Sequence, residues 1–499
     1  MQRPPHAPRR LFSERRIPLY PDLLSLHVAN PRRYPFLLES TLQTGQGPGQ
    51  DQSRYDILFA FPEGRLVLEI SGRLTLEGRP IPGGAFLREL DNWLAREGPD
   101  GAATGPKARD RPGASGWDGP DVPFRGGWFL YLGYELAGQI EPVLAPAFSE
   151  SLRAGASTVE AQFPVASAWR IPAAIIRDRK RRETVLVAEP ECAAHLAELE
   201  QDVRRAAAAP GTEFFPSRPI ALAEPLREDP ADIFLTGTVR IKRYIREGDV
   251  FQSNLSRGWR GDLPEGIAPG SIYRRLRQQN PGAFAGIAVW DDLAILSSSP
   301  ERLVHIRDGV VQTRPIAGTH PRNPDSVADQ GLSRALLSHP KERAEHIMLI
   351  DLERNDLGRV CRPGSVRVDE LMVLESYAHV HHIVSSIRGH LVPDATPGKV
   401  LGAVFPGGTI TGCPKVRCME IINELEQNPR GPYTGAMGYL NRDGDADLNI
   451  LIRTLCRHGD RISLRTGAGI VADSVPEREL EETRHKARGP LGVFSTRPR

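Results

Sequence analysis

Residues 435–472 read GAMGYLNRDGDADLNILIRTLCRHGDRISLRTGAGIVA. The stretch is a set of short β-rich runs that turn at Asp443-Gly444 and Gly459-Asp460, dipeptides whose first or second residue tolerates positive φ. Residues 283–317 repeat the habit, with about four strands turning at Asp291-Asp292 and Asp308-Gly309. Further out, Tyr55-Asp56-Ile57-Leu58-Phe59, the run Arg65–Ile70 and Trp128-Phe129-Leu130-Tyr131 are β-rich, and Ala174–Ala188 reads as a hairpin around Arg179-Lys180-Arg181. Helical periods fall at 333–355, 414–427 and 475–488. Strands therefore come in consecutive runs and not in strict βαβ alternation, which predicts an α+β fold with antiparallel sheets.

The chain has 499 residues, too many for one core, which stops growing near ~250–300 residues. Two stretches read as breaks. Residues 98–122, GPDGAATGPKARDRPGASGWDGPDV, form a surface insertion or loose linker with almost nothing to bury. Residues 206–231 read as a connector, giving an N-terminal region over 1–225 and a C-terminal region over 231–499. Lys+Arg 64 against Asp+Glu 62 leaves +2, a balance that implies no nucleic-acid partner. Only seven of the basic residues are lysines (107, 180, 242, 341, 399, 415 and 486), so each lysine is worth noticing. No window reaches the ~18 apolar residues of a membrane span, and the basic N-terminus runs into no apolar segment of a secretory signal. The five cysteines (192, 361, 413, 418 and 456) lack CxxC spacing, which predicts a reducing compartment and no zinc site. The expectation is a cytoplasmic enzyme or binding protein.

Four groups of residues could carry chemistry. Ser474-Val475-Pro476-Glu477 reads as a capping box, and after it Glu479, Glu482 and Lys486 share one helix face. Two carboxylates and a lysine so placed could grip a hard cation and an anionic substrate, or could simply be a solvated face with an i,i+4 pair. Glu342 and Glu345 form a second i,i+3 carboxylate pair, and two such pairs from distant segments would suit Mg²⁺. Phe405-Pro-Gly-Gly-Thr-Ile-Thr-Gly-Cys-Pro-Lys415 is glycine-rich, but Gly412 is followed by Cys-Pro-Lys, so the Walker pattern fails. The Gly467-Ala468-Gly469 run is either a bulge or a place where backbone amides approach a carboxylate. His379, His381 and His382 would lie on a strand, 379 and 381 on one face and 382 on the other, as core or catalytic histidines.

Taken in order, these segments resemble one family. Gly248-Asp-Val-Phe-Gln-Ser-Asn-Leu-Ser256, Ser299-Pro-Glu301, Thr313-Arg-Pro-Ile-Ala-Gly-Thr319, Glu345-His-Ile-Met-Leu-Ile-Asp-Leu-Glu-Arg-Asn-Asp356, the 405–424 loop and helix, Gly467–Asp473 and Glu481–Ala487 resemble the chorismate-utilising enzymes. Arg33-Tyr-Pro-Phe-Leu-Leu-Glu-Ser40, Arg54–Leu58 and Gly126–Glu135 resemble the N-terminal part of the two amidating members, the catalytic components of anthranilate and aminodeoxychorismate synthase. The resemblance implies large antiparallel sheets packed as a sandwich with helices outside. It implies that Glu345 and Glu482 hold Mg²⁺ with Glu342 and Glu479 alongside, on the ring carboxylate of chorismate. Tyr433, Arg453, Lys486 and the amides of Gly467, Ala468 and Gly469 would bind substrate carboxylates. Glu301 matches the general acid for the departing C4 hydroxyl, Gly318 and Thr319 lie beside that hydroxyl, and His382 matches the histidine beside the ring.

Position 252 bears on the nucleophile: family members that add water carry lysine there, and Gln252 implies ammonia. For the carbon attacked, the Gln252-Ser-Asn-Leu-Ser and Gly-Gly-Thr-Ile-Thr-Gly-Cys-Pro-Lys motifs resemble the aminodeoxychorismate synthase branch, which yields 4-amino-4-deoxychorismate for 4-aminobenzoate and folate. Ala317 departs from the lysine of many such enzymes and agrees with anthranilate synthases. A protein that keeps the fold and binds without turnover is the alternative outside enzymes, opposed by the intact set of Glu301, His382, Glu345, Glu482 and Lys486. Leu37, Leu38, Glu39 and Ser40 match a segment that contacts tryptophan in relatives, or else form an ordinary half-buried strand. None of the five cysteines has the setting of a glutaminase nucleophile, and the matching segments end at Ala487. Ammonia is accordingly expected from a separate glutamine amidotransferase subunit.

Overall fold

A computed structural model describes residues 12–42, 54–98, 122–208, 219–321, 325, 329, 331, 340–376 and 380–496, with the backbone alone at 317, 319–321, 340–342, 376, 380 and 496. The linker at 98–122, but for its ends, lies outside the described residues, as do part of the 206–231 connector and His379.

Two large sheets carry the fold. The first runs from edge to edge through Ser13–Ile17, Glu183–Ala188, Ala173–Asp178, Tyr55–Ala60, Phe36–Glu39, Phe284–Trp290, Leu293–Ser299, Thr454–His458, Arg461–Ile470, Gln252–Asp262 and Arg227–Glu228. The second runs through Ile316–Pro321, Val380–His390, Val310–Thr313, Arg302–Arg307, Ala446–Ile450, Ala436–Asn441, Gly127–Leu132, Ala166–Ile171, Arg65–Leu68, Leu74–Leu76 and Arg79–Pro80. Every pairing along both paths is antiparallel, as the consecutive strand runs require. Residues 1–225 and 231–499 each contribute a block to both sheets. The blocks meet where Phe36–Ala288 through Glu39–Ala285 pair, and where Gly127–Leu132 pairs with Ala436–Asn441.

Strand alternation explains why the sheets stack. Phe36, Phe59 and Ile176 of the first sheet and Phe129, Trp169 and Met437 of the second turn inward to one apolar layer, where Phe36 and Phe129 stack at 4.0 Å. The residues between them point outward and are covered by helices: Leu37 and Leu58 lie in one outer core with Leu24, Leu199 and Leu276, and Leu130 and Leu448 in the other with Phe86, Leu401 and Ile350. The fold is the expected α+β sandwich with helices outside.

The expected turns at 291–292, 308–309, 443–444 and 459–460 all join paired strands. The helices at Pro340–Gly358, Lys415–Glu426 and Pro476–Leu491 fall where the periodicity puts them. One local expectation is overturned. Ser474 does not cap the last helix: with Pro476 in its first turn the capping position falls to Val475, and the Ser474 hydroxyl instead accepts from the Val471 N–H at 3.0 Å.

Candidate active site

The long strand Gln252–Asp262 lies beside Arg461–Ile470 in a register that sets Asn254 opposite Gly469 and Ser256 opposite Gly467. Gln252, Asn254 and Ser256 share one face of the pleat with the two glycines. A Cβ at position 469 would stand 2.4 Å from Gln252 Nε2, and one at 467 would stand 2.6 Å from Asn254 Oδ1 and 2.8 Å from the Tyr433 hydroxyl. The glycines are there to let these polar side chains lie flat over the backbone. Gln252 Nε2 donates to Glu345 Oε1 at 2.9 Å, while its side-chain carbonyl oxygen is buried with no partner among the described residues. Glu345 enters from the helix Pro340–Gly358, so two segments ninety-three residues apart meet here.

The C-terminal helix closes the next side. Lys486 Nζ donates to the Gly467 carbonyl at 3.0 Å and pairs with Glu482 at 2.6 Å, so the i,i+4 pair of the sequence forms and also grips the glycine strand. The Lys486 charge reaches Glu301, which is buried and receives a hydrogen bond from the Ile316 backbone. Burial pushes the Glu301 carboxyl up to about 7 despite those two opposing influences and the nearby Thr409 hydroxyl. Ile316 begins the strand that carries Gly318, at φ +74 in a register break between Ala317 and Thr319. Thr319 pairs with His382 on the neighbouring strand. Burial, with Arg453 and His381 adding, holds the His382 ring down at about 4, so it is neutral at pH 7.

Arg453 completes the circuit. Its charge acts on His382, and those of Tyr433 and Glu482 act on it. Its backbone is held at φ +53, a conformation that costs a non-glycine residue on the order of 1–3 kcal/mol and persists where the surroundings impose it. Burial lowers its pKa, and among the described residues its guanidinium has no hydrogen bond or ion pair. A half-buried cation so placed is a binding point for an anion. The expected residues Gln252, Glu301, His382, Tyr433, Arg453, Gly467, Gly469, Lys486, Glu345 and Glu482 thus form one ring of contacts from eight separate segments, with Gly318 on the strand beside His382, while Ala468 packs into an apolar core with Leu255 and Leu480. His381 faces the other way, to Asp329 at 3.0 Å, as the pleat requires.

Oxygen donors for a metal are present but sparse. Glu345 lies at one end of Gly467–Gly469 and Glu482 at the other, with Glu479 buried one turn earlier on the helix; the side chains of Glu342 and Thr319 lie outside the described residues. Among the described residues no three His, Cys, Asp or Glu groups stand close enough to hold an ion by themselves. Carboxylates too few to enclose an ion fit Mg²⁺, which keeps waters and takes substrate oxygens, better than they fit zinc. The glycine-rich loop contributes no phosphate cradle: Lys415 is bound to Asp356 at 2.6 Å, and Gly412 lies where a Cβ would meet the Gln252 carbonyl at 2.2 Å.

A second hollow lies apart from this ring. Leu38 and Ser40, with Arg54, Ala285, Met437 and Tyr439, line a cavity of about 560 Å³ between the sheets. Ser40 Oγ is buried there with no partner among the described residues, whereas the Glu39 carboxylate turns to the other face, taking bonds from the Tyr273 hydroxyl at 2.9 Å and Arg277 at 3.2 Å. The sequence reading did not find Glu353, a buried carboxyl on the Glu345 helix, or the buried Glu426–Arg430–Arg465 network under strand Gln252–Asp262. Glu426 and Arg430 stand at i,i+4, a spacing equally common on solvated helices, and nothing in the spacing of Glu353 or Arg465 marks them.

The model of the chorismate binding enzymes matches residues 99–492. The chain belongs to this family. Among chorismate-binding relatives, it is 39% identical over 376 residues to an anthranilate synthase component I-like protein of Synechocystis, covering 75% of this chain and 73% of that one. It is 45% identical over 293 residues to aminodeoxychorismate synthase component 1 of Bacillus subtilis, covering 58% and 61%. Anthranilate synthase component I from Streptococcus pneumoniae superposes with a TM-score of 0.70 at 29% identity, over 90% of this chain and 94% of that one. The menaquinone-specific isochorismate synthase of Escherichia coli superposes at 0.66 with 16% identity, which shows the shared fold. No helix among the described residues of this chorismate-binding enzyme is long and apolar enough to cross a membrane.

Proposed function

We propose that the chain aminates chorismate with ammonia to give 4-amino-4-deoxychorismate. The observation that carries amination is Gln252: a neutral amide, pinned by its N–H to Glu345, keeps a buried side-chain carbonyl that has no partner among the described residues. A carbonyl there can accept an N–H from ammonia, and no base for deprotonating water stands in its place. Arg453 and Lys486, with Tyr433 and the Gly467–Gly469 backbone, bind the two carboxylates of the substrate. Glu301, protonated near neutrality, gives its proton to the C4 hydroxyl as it departs. Neutral His382 faces the ring beside it. A Mg²⁺ ion bound by Glu345 and Glu482, with Glu342 and Glu479 alongside, would supply Lewis-acid polarisation of the ring carboxylate.

The site of attack follows from the motifs that match the aminodeoxychorismate branch. A second reading, C2 amination with pyruvate release to give anthranilate, is favoured by Ala317 and by the number of anthranilate synthase relatives. The nitrogen donor in the cell is a separate glutamine amidotransferase subunit, and tryptophan fits the second hollow through Leu38, Ser40 and the Glu39 backbone.

One assay tests these readings together. The pure chain is given chorismate, Mg²⁺ and ammonium. A product that becomes 4-aminobenzoate only after a lyase is added supports the first reading; anthranilate fluorescence with pyruvate sinks it. Glutamine in place of ammonium should give no turnover without the partner subunit. Tryptophan added to protein freed of bound ligand should give a binding heat; no heat and unchanged activity removes that part of the proposal.

A further inference from the structure

We propose that Glu353 is the internal proton source for Glu301, recharging it after each turnover from a buried position behind the site. The inference rests on the reading of Glu301 as the acid, and it concerns a carboxyl that reading leaves unused. Glu353 lies on the helix Pro340–Gly358, eight residues and about 12 Å beyond Glu345, away from the proposed metal ligands. Its side chain is buried, and among the described residues it has no ion pair. The nearest cation, Lys415, is bound instead to Asp356 one turn further along, at 2.6 Å. That pair is 13% and 5% exposed.

The turn at 408–409 separates the two acids. A Cβ on Gly408 would stand 3.7 Å from Glu353 Oε1, and the next residue, Thr409, turns its hydroxyl toward Glu301. Thr313 turns its hydroxyl toward Glu353. Among the described residues neither hydroxyl has a closer partner, so both are available to a proton path. The groups facing Glu353 are Asp356 on its own helix, Lys415 on the next helix, Thr313 at a strand end and Glu301 across the turn. Burial, helped by Asp356 and Glu301 and opposed by Lys415 and Thr313, pushes Glu353 up to about 8, against about 7 for Glu301.

The need for a source follows from the proton balance. Amination forms a C–N bond and breaks C–O; the hydroxyl leaves as water with the Glu301 proton, and the new ammonium nitrogen loses one. That nitrogen arrives beside Gln252, which contacts Glu345 and Gly469, whereas the neighbours of Glu301 are Ile316, Thr409 and Lys486. The released proton therefore departs on one side while Glu301 is left as a carboxylate on the other. Glu353 gives it a proton and is itself refilled from solvent past Lys415 and Asp356.

The test compares Glu301→Gln, Glu353→Gln and Glu353→Asp in the ammonium-dependent assay. Glu353→Gln should lower kcat by about tenfold or more with KM for chorismate little changed, less than the ~10²–10⁴ expected for Glu301→Gln. Its residual kcat should rise with the concentration of a small protonated buffer such as imidazolium, a dependence that the parent lacks. Glu353→Asp, which restores an acid, should recover most of the rate. Glu353→Gln with parental kcat and no buffer dependence, beside an inactive Glu301→Gln, overturns the relay alone. An active Glu301→Gln overturns the reading beneath it. If Glu353→Gln does not fold, infrared titration of Glu301→Gln decides: a neutral carboxyl band lost near pH 8 supports the relay, and its absence ends it.

Discussion

Glu301 keeps its proton because the sandwich deprives its carboxylate of water and offers in return only one backbone N–H, a threonine hydroxyl and the distant Lys486 charge. An acid pushed up to about 7 is present in its working form below that pH and lost above it. The sign gives a prediction: with free ammonia held constant, kcat/KM for chorismate should be level below pH 7 and fall as pH rises through it, and Glu301→Gln should remove that limb with most of the rate. A profile that rises across neutrality would mean that Glu301 acts as a base. His382 adds no opposing limb in this range, since it is already neutral well below pH 7. At this scale the sequence was legible where a motif carried the residue: Glu301, His382, Arg453 and Lys486 all meet. Glu353 was not legible, because a glutamate in a polar helical run looks solvated until the loop at 405–415 is known to cover it.

The glycine strand shows what pattern alone leaves open. Gly467-Ala468-Gly469 admits a bulge or a carboxylate approach, and the choice depends on what crosses the strand. What crosses are Gln252, Asn254 and Tyr433, each lying where a side chain at 467 or 469 would stand. Gly469→Ala should therefore push Gln252 Nε2 from its 2.4 Å distance and loosen its bond to Glu345 without touching the outer cores. The expected result is a large loss of kcat with a folded protein, whose apparent affinity for Mg²⁺ also falls. A variant with parental kcat and metal response would show that the Gln252–Glu345 contact is incidental. The last helix was read well in its face and wrongly in its cap, for a simple reason. Spacing fixes which residues share a face, whereas the first helical turn is decided by Pro476, which moves the cap inward from Ser474 to Val475.

Across the whole molecule, the antiparallel sheets were evident in the turn dipeptides, but the partnership between the two regions was not. Sequence order places residues 36–39 and 284–290 far apart, and only the matched apolar faces bring them to neighbouring strands. This shared interior has a cost, because among the carboxyls that it encloses Glu135 and Glu301 are pushed up to about 7 and Glu353 to about 8 by burial. All three hold protons in the folded chain at a pH where the unfolded chain, titrating near 4.5, has released them. Their contribution to stability is thus complete below about pH 4.5, declines as pH rises and is fully lost above about pH 8. The folded protein should become easier to denature with urea between pH 5 and 8, opposite to a protein dominated by salt-bridged carboxylates. Glu353→Gln, if folded, isolates one share of this slope. Its unfolding free energy relative to the parent should grow by up to about 1.4 kcal/mol per pH unit across that window and then level off. A difference that stays constant with pH would show that Glu353 is ionised in the folded state, and would leave the buried lysine–aspartate pair, and not a stored proton, as the reason for a carboxyl at that depth.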